Sequence, residues 1–137
     1  MATRYKLKRD LINELKKVCD NVETQFDHPQ NRAEAQLEFP YITVVWKEWQ
    51  PEEGQLYGIQ TCDIIGIVQG ETNDLLELSS DFEGKVIGQL YKNDLVKNNI
   101  ENINNSNLFE PFGLSAGVFP PFAGFRIELS IGNVRIS

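Results

Sequence analysis

From Phe125 to Ile131 the chain reads Phe-Arg-Ile-Glu-Leu-Ser-Ile, and this alternation constrains the fold more than any other stretch. Successive side chains of a strand point to opposite faces, so Phe125, Ile127, Leu129 and Ile131 share one side and Arg126, Glu128 and Ser130 the other. Such a pattern predicts the closing strand of a half-buried sheet. The segment before it, Phe119-Pro-Pro-Phe-Ala-Gly124, sets aromatic residues among Pro and Gly with no helical or strand period to bury them. Phe109, Phe112, Phe119 and Phe122 therefore read as more apolar surface than a monomer needs, and point to a neighbouring chain that covers it.

At 137 residues the chain fits a single domain. The segment from about Thr3 to Val22 spaces Leu7, Leu11, Leu15, Val18, Cys19 and Val22 by threes and fours, which predicts an amphipathic helix capped by Thr3. Pro40 biases Phe39 toward extended structure, and Tyr41–Trp49 is rich in β-branched and aromatic residues, so a strand follows. Turn residues at 50–54 and a second run from Gly58 to Val68 predict an antiparallel hairpin with an acidic tip.

A second helix is expected from Asp74 to about Lys92, with Asp74 and Glu77 as a capping box. Its apolar stripe is Leu75, Leu78, Phe82, Val86 and Leu90, widened by Leu76, Ile87 and Tyr91. Gly84 and Gly88 weaken it unless their spacing lets the helix approach the sheet closely. The Asn-rich stretch from Lys97 to Asn107 reads as a weak strand inside a long aromatic loop at about 97–124. The expected fold is α+β over residues 1–137, an antiparallel sheet with two helices packed on one face, in the order α-β-β-α-β-β.

Chemistry is harder to place. A net charge of −7 argues against gripping nucleic acid through its phosphates, although Arg4, Lys6, Lys8, Arg9, Lys16 and Lys17 crowd the N-terminal segment. Cys19 and Cys62 are too few for a disulfide framework or a zinc site and read as core residues. The lone His28 sits in a polar loop with no Cys or His at ligand spacing, and no metal or cofactor is expected. Gly66-Ile-Val-Gln-Gly70 lacks the Lys-Ser/Thr of a phosphate loop and the third glycine of a dinucleotide fingerprint. Ser79-Ser80-Asp81 lacks the setting of an exposed nucleophile. The expectation is a protein that is not an enzyme. With neither a signal peptide nor a membrane span in the sequence, it is expected in the cytoplasm. Trp46 and Trp49, three apart on a strand, are expected on opposite faces, one in the core and the other under a cover. For the exposed ring that cover is either the protein's own helix or hairpin tip, or a neighbouring subunit, which adds Trp49 to the candidate interface.

An N-terminal helix, the Phe39–Ile42 entry into a strand, the hairpin ending in Ile64-Ile-Gly-Ile-Val68, the helix from Asp74 to Tyr91 and the last amphipathic strand, in the order α-β-β-α-β-β, together resemble the tail terminator or tail-completion proteins of tailed bacteriophages, which are similar in length and share that order. The resemblance spans nearly the whole chain and departs from the family at Lys97–Gly124, where a shorter link is expected. It implies a ring, usually hexameric, that caps the tail tube protein, stops its polymerisation and meets the head-tail connector. DNA would pass through such a ring without specific binding, and the protein would belong to the virion tail after assembly in the host cytoplasm. On that footing Phe109, Phe112, Phe119, Phe122 and Trp49 are subunit or tube contacts. A head-completion, neck, baseplate or tube component is the alternative within the same assembly. A small-ligand enzyme or binding module, or a bacterial adaptor or toxin–antitoxin partner, is the alternative outside it.

Overall fold

The computed structural model describes residues 2–24, 39–52, 56–70, 74–112 and 122–135. Its elements in chain order are β1 (Ala2–Thr3), α1 (Arg4–Leu15), β2 (Asn21–Glu23), β3 (Tyr41–Pro51), β4 (Tyr57–Gln69), α2 (Leu75–Leu90), α3 (Asp94–Asn99), β5 (Ile100–Phe112) and β6 (Phe122–Arg135). The fold is α+β. The six longest elements run α-β-β-α-β-β, and two short strands and a six-residue helix are added to that order.

β4 lies at the centre of the sheet, antiparallel to β3 on one side and β6 on the other. β5 and β1 share the far edge of β6, and β2 lies outside β3. The expectation of a purely antiparallel sheet is corrected here, because β1 pairs parallel with β6 and β2 parallel with β3. α1 is the cause. It spans from one side of the sheet to the other, and the few residues at each of its ends join the nearest available edge. The helix is also shorter than its periodicity suggests, ending at Leu15. Cys19 is still buried, because its thiol turns to the carbonyl of Pro40, 3.2 Å away.

The closing strand behaves as its alternation predicts. Phe125, Ile127, Leu129 and Ile131 are buried on the helix side, while Arg126, Glu128 and Ser130 are half-buried on the other. Leu7, Leu11 and Leu15 of α1 and Leu75, Phe82, Val86 and Leu90 of α2 pack onto that same side, so both long helices cover one face. The opposite face carries a smaller cluster of Tyr41, Ile65, Ile67 and Phe122, with Phe39 against it.

Two β-bulges sit opposite adjoining pieces of β4 that meet at Gln60. Between Trp46 and Trp49 β3 advances three residues while β4 advances two, and between Ile131 and Val134 β6 does the same. The extra residue in β3 corrects the expectation that Trp46 and Trp49 face opposite sides: both pack against the helix-side core. Gln60, buried opposite the bulge, donates its amide to the carbonyl of Lys47 at 2.8 Å, satisfying a group the disrupted ladder leaves over. In β6 the extra residue is accommodated by Asn133 at φ 56, a left-handed conformation that Asn tolerates better than most.

The region after α2 departs most from expectation. Asn93 caps α3 by accepting from the amide of Val96 at 3.0 Å, and what reads as a weak strand in a long loop is a 13-residue strand paired with β6. The expected Asp74 capping box does not form, since Asp74 is at the N-cap with helical backbone and no side-chain capping bond. Gly84 and Gly88 do not mediate a close approach to the sheet either, because a Cβ on either one would meet open space.

The close approach is at Gly66. Its register partner is Phe125, whose ring fills the space a side chain at 66 would need and meets Phe82 of α2 edge-on at 5.6 Å between centroids. Gly66→Val should therefore cost about 1–3 kcal/mol through overpacking. Gly84→Ala and Gly88→Ala should each add up to about 1 kcal/mol. Thermal unfolding of the three variants beside the parent checks both signs, and a neutral Gly66→Val would contradict the packing described.

Candidate functional site

Three polar or mixed surfaces stand out once the core is assigned. The first lies on the sheet face away from the helices. Asp63 of β4 and Glu128 of β6 are register partners, a like-charge pairing that would by itself be destabilising. Lys47 of β3 sits 3.2 Å from a carboxylate oxygen of each, and Arg126 approaches the same two residues at 3.3 and 2.9 Å. The Arg126–Asp63 approach is ionic, without hydrogen-bond geometry. Hydrogen bonding to Asp63 and then Glu128 raises the Lys47 pKa, and the hydrogen bond from Lys47 holds Glu128 below the usual carboxylate range. Each of the four charges is engaged by two others, so the cluster ties three strands together and leaves no charge free for a ligand.

The second lies between the helices. Glu14 of α1 is buried and accepts from the amides of Gln89 and Asn93 and from the ammonium of Lys17. Burial alone pushes its pKa up, but the hydrogen bonds from Gln89, Asn93 and Lys17 outweigh that and the carboxyl titrates below its ordinary 4.5. This network joins α1, α2 and the cap of α3.

The third is the outer flank of α1, and it is the best candidate for contact with another molecule. Thr3 fixes the start of the helix by accepting from the amide of Lys6 at 3.1 Å. With about 100° per residue, the buried stripe through Leu7 and Leu11 leaves Tyr5, Lys8, Arg9 and Ile12 on the side facing away from α2. Trp46 of β3 forms the floor, with the Lys8 ammonium 5.2 Å from its ring centroid, a cation–π contact. Burial, and then the charge of Arg4, lowers the Lys8 pKa. Tyr5 is 74% exposed. The groove these residues line holds about 380 Å³ and is open along most of its length. That shape suits side chains presented by another surface more than an enclosed small ligand.

The residues singled out from the sequence are distributed differently. Phe122 is corrected: it is only 4% exposed, its ring 4.9 Å from that of Phe39, so the subunit itself covers it. Trp49 is half-buried on the helix side and donates its indole N–H to the carbonyl of Val134 at 2.8 Å, so its polar end is satisfied internally. Phe109 and Phe112 stand on β5 in register with Gly124 and Phe122, while their side chains, and the whole of Phe119 and His28, lie outside the described residues. Cys62 is buried as expected, and its thiol is pushed up to about 12 by that burial.

The α1 groove is missed by sequence reading because its cations look like ordinary solvated surface. Trp46 lies beneath them in phase with Ile42 and Val44, ahead of the bulge, and what the sequence does not show is that α1 crosses over this strand. Among the described residues no group of three or more His, Cys, Asp or Glu side chains is arranged to hold a metal. No helix among the described residues is long and apolar enough to cross a membrane. No family model matches the chain, and no curated protein matches it.

The Glu14 network makes a pH prediction. A carboxyl whose folded-state pKa is depressed contributes stability that is complete above its unfolded value and lost as pH falls through the folded value. Glu14→Gln should cost about 1–3 kcal/mol at neutral pH, and its deficit relative to the parent should shrink as pH drops below 4.5. Denaturant melts of both proteins between neutral and acidic pH test this, and a deficit that stays constant over the range would sink it.

Proposed function

We propose that this protein is a structural subunit of a tailed-phage virion that completes the tail, assembling as a ring on the tail tube and meeting the head connector with its other side. The observation that carries the reading is the order of the long elements, α1-β3-β4-α2-β5-β6, with both long helices on one face of the sheet. This is the arrangement on which the resemblance to tail terminators rests.

Surface chemistry supports the same reading. A ring subunit needs two different contact surfaces that repeat head to tail until the circle closes. The chain has chemically unlike helix flanks at the two sides of its helix layer. Its negative net charge of −7 also suits a ring through which DNA slides, since a basic lumen would retain the phosphates. Contact between the aromatic segment around Phe109, Phe112 and Phe119 and the tube or a neighbouring subunit belongs to this proposal on sequence grounds.

The test is functional. Purified protein, added to tail tubes growing in vitro, should bind one tube end and arrest elongation, with end-bound rings visible by electron microscopy. Tubes that lengthen unchanged, with the protein found only on isolated connectors, would transfer the assignment to a neck component of the same assembly.

A further inference from the structure

The outer flank of α1 has a counterpart on α2. Around α2 the buried residues Leu75, Ser79, Phe82, Val86 and Leu90 define the core side. On the helical wheel Leu76, Ser80, Glu83, Ile87 and Tyr91 then follow one another at spacings of three and four along the flank facing away from α1. Leu76 is 58% exposed and Tyr91 44%, so the stripe leaves apolar surface in water at its two ends, while Ile87 between them is half-buried against the core. Glu83 lies within it and Glu77 borders it. Neither carboxylate is in an ion pair with a described residue.

We propose that these two flanks are the halves of one self-association contact, the α2 flank of one copy seating in the α1 groove of the next; this rests on the ring reading above and names its interface. Charge complementarity selects a second copy as the occupant. The groove offers Lys8 and the exposed Arg9, whose one described ion pair is a 3.5 Å approach to the adjacent Asp10, around Tyr5, Ile12 and Trp46, and the α2 flank offers Glu77 and Glu83 beside Leu76 and Ile87.

Geometry agrees, because the groove lies on the β3 side of the helix layer and the stripe on the β5 side. A copy can therefore give one flank and receive on the other, which is the heterologous contact that closes rings. Pairing through the sheet edge is the competing route. Beyond Thr43 the outer edge of β3 has no strand partner among the described residues, but it carries the bulge, Lys47 and Pro51, features that obstruct strand addition.

The test is a charge swap read by native mass spectrometry and analytical ultracentrifugation, with circular dichroism to verify folding. Arg9→Glu and Glu83→Arg should each convert the parent ring mass to monomer, and the double variant should regain it. Lys85→Glu, on the other side of α2, makes the same charge change as Arg9→Glu and should keep the ring. Rings that survive both single substitutions, or a double variant that stays monomeric, overturn this contact. The ring reading stands in both cases if the parent still caps tubes. A parent that is monomeric at high concentration and leaves tubes uncapped overturns both.

Discussion

Phe125 lies across the bare backbone of Gly66, and Phe82 meets the ring from the helix layer. This three-residue contact is the pivot of the structure. It joins the two central strands and the longest helix at one point, and it works only because residue 66 has no side chain. Phe125 can then sit low over the β4 backbone, which leaves room for α2 to come down onto β6. The remaining core extends from this point along β6 through Ile127, Leu129 and Ile131, all essentially without solvent exposure. Burying side chains of this size contributes about 1.5–3 kcal/mol each, so the β4–β6 pair with α2 above it is the part of the molecule that the short strands and α3 depend on.

The two bulges are the second constraint. The β3 bulge lies against Gln60–Cys62 of β4 and the β6 bulge against Gly58–Gln60, so the irregularities on the two sides of the central strand meet at Gln60. Their effect is to preserve chemistry across an irregular ladder: Trp46, Trp49 and Val134 all remain on the helix side although strict alternation would divide them. Gln60 makes this tolerable. Its side chain bridges from the bulged Lys47 carbonyl to Arg4 of α1, so that a polar residue at 1% exposure has partners on two elements.

Much of this was legible in the sequence where a pattern repeats over several residues. The alternation of Phe125–Ile131, the hairpin of β3 and β4, the threefold and fourfold spacing of Leu7, Leu11 and Leu15, and Thr3 as a cap all depend on local chemistry, and the structure has them. What was not legible depends on partners distant in the chain. β1 and β2 are strands only because edges of β6 and β3 are free beside them. β5 contains Asn-Ile-Asn-Asn, a poor strand by propensity, and is one because β6 supplies a full-length partner. A helical stripe also cannot report how wide its buried part is. Leu76 and Tyr91 looked like a broadening of the α2 core, yet the sheet covers only the residues nearest Phe82, and the rest is left as outward surface.

That residual surface is where the proposed contact lies. Had α2 been placed centrally over the sheet with a third helix beside it, Leu76 and Tyr91 would be core. With two long helices covering a sheet five positions wide, each has one flank against its neighbour and one that no further described helix covers. The inner flanks are joined by Glu14 and its three donors. The outer flanks differ in sign, Lys8 and Arg9 on α1 against Glu83, bordered by Glu77, on α2. On the opposite face Lys47, Arg126, Asp63 and Glu128 neutralise one another, so that face contributes little field of its own. Among the described residues a charge asymmetry therefore lies in the plane of the helix layer, from one outer flank to the other. An in-plane asymmetry of this kind favours copies arranged side by side in one direction over copies stacked face to face, because only the first brings unlike charges together at every contact.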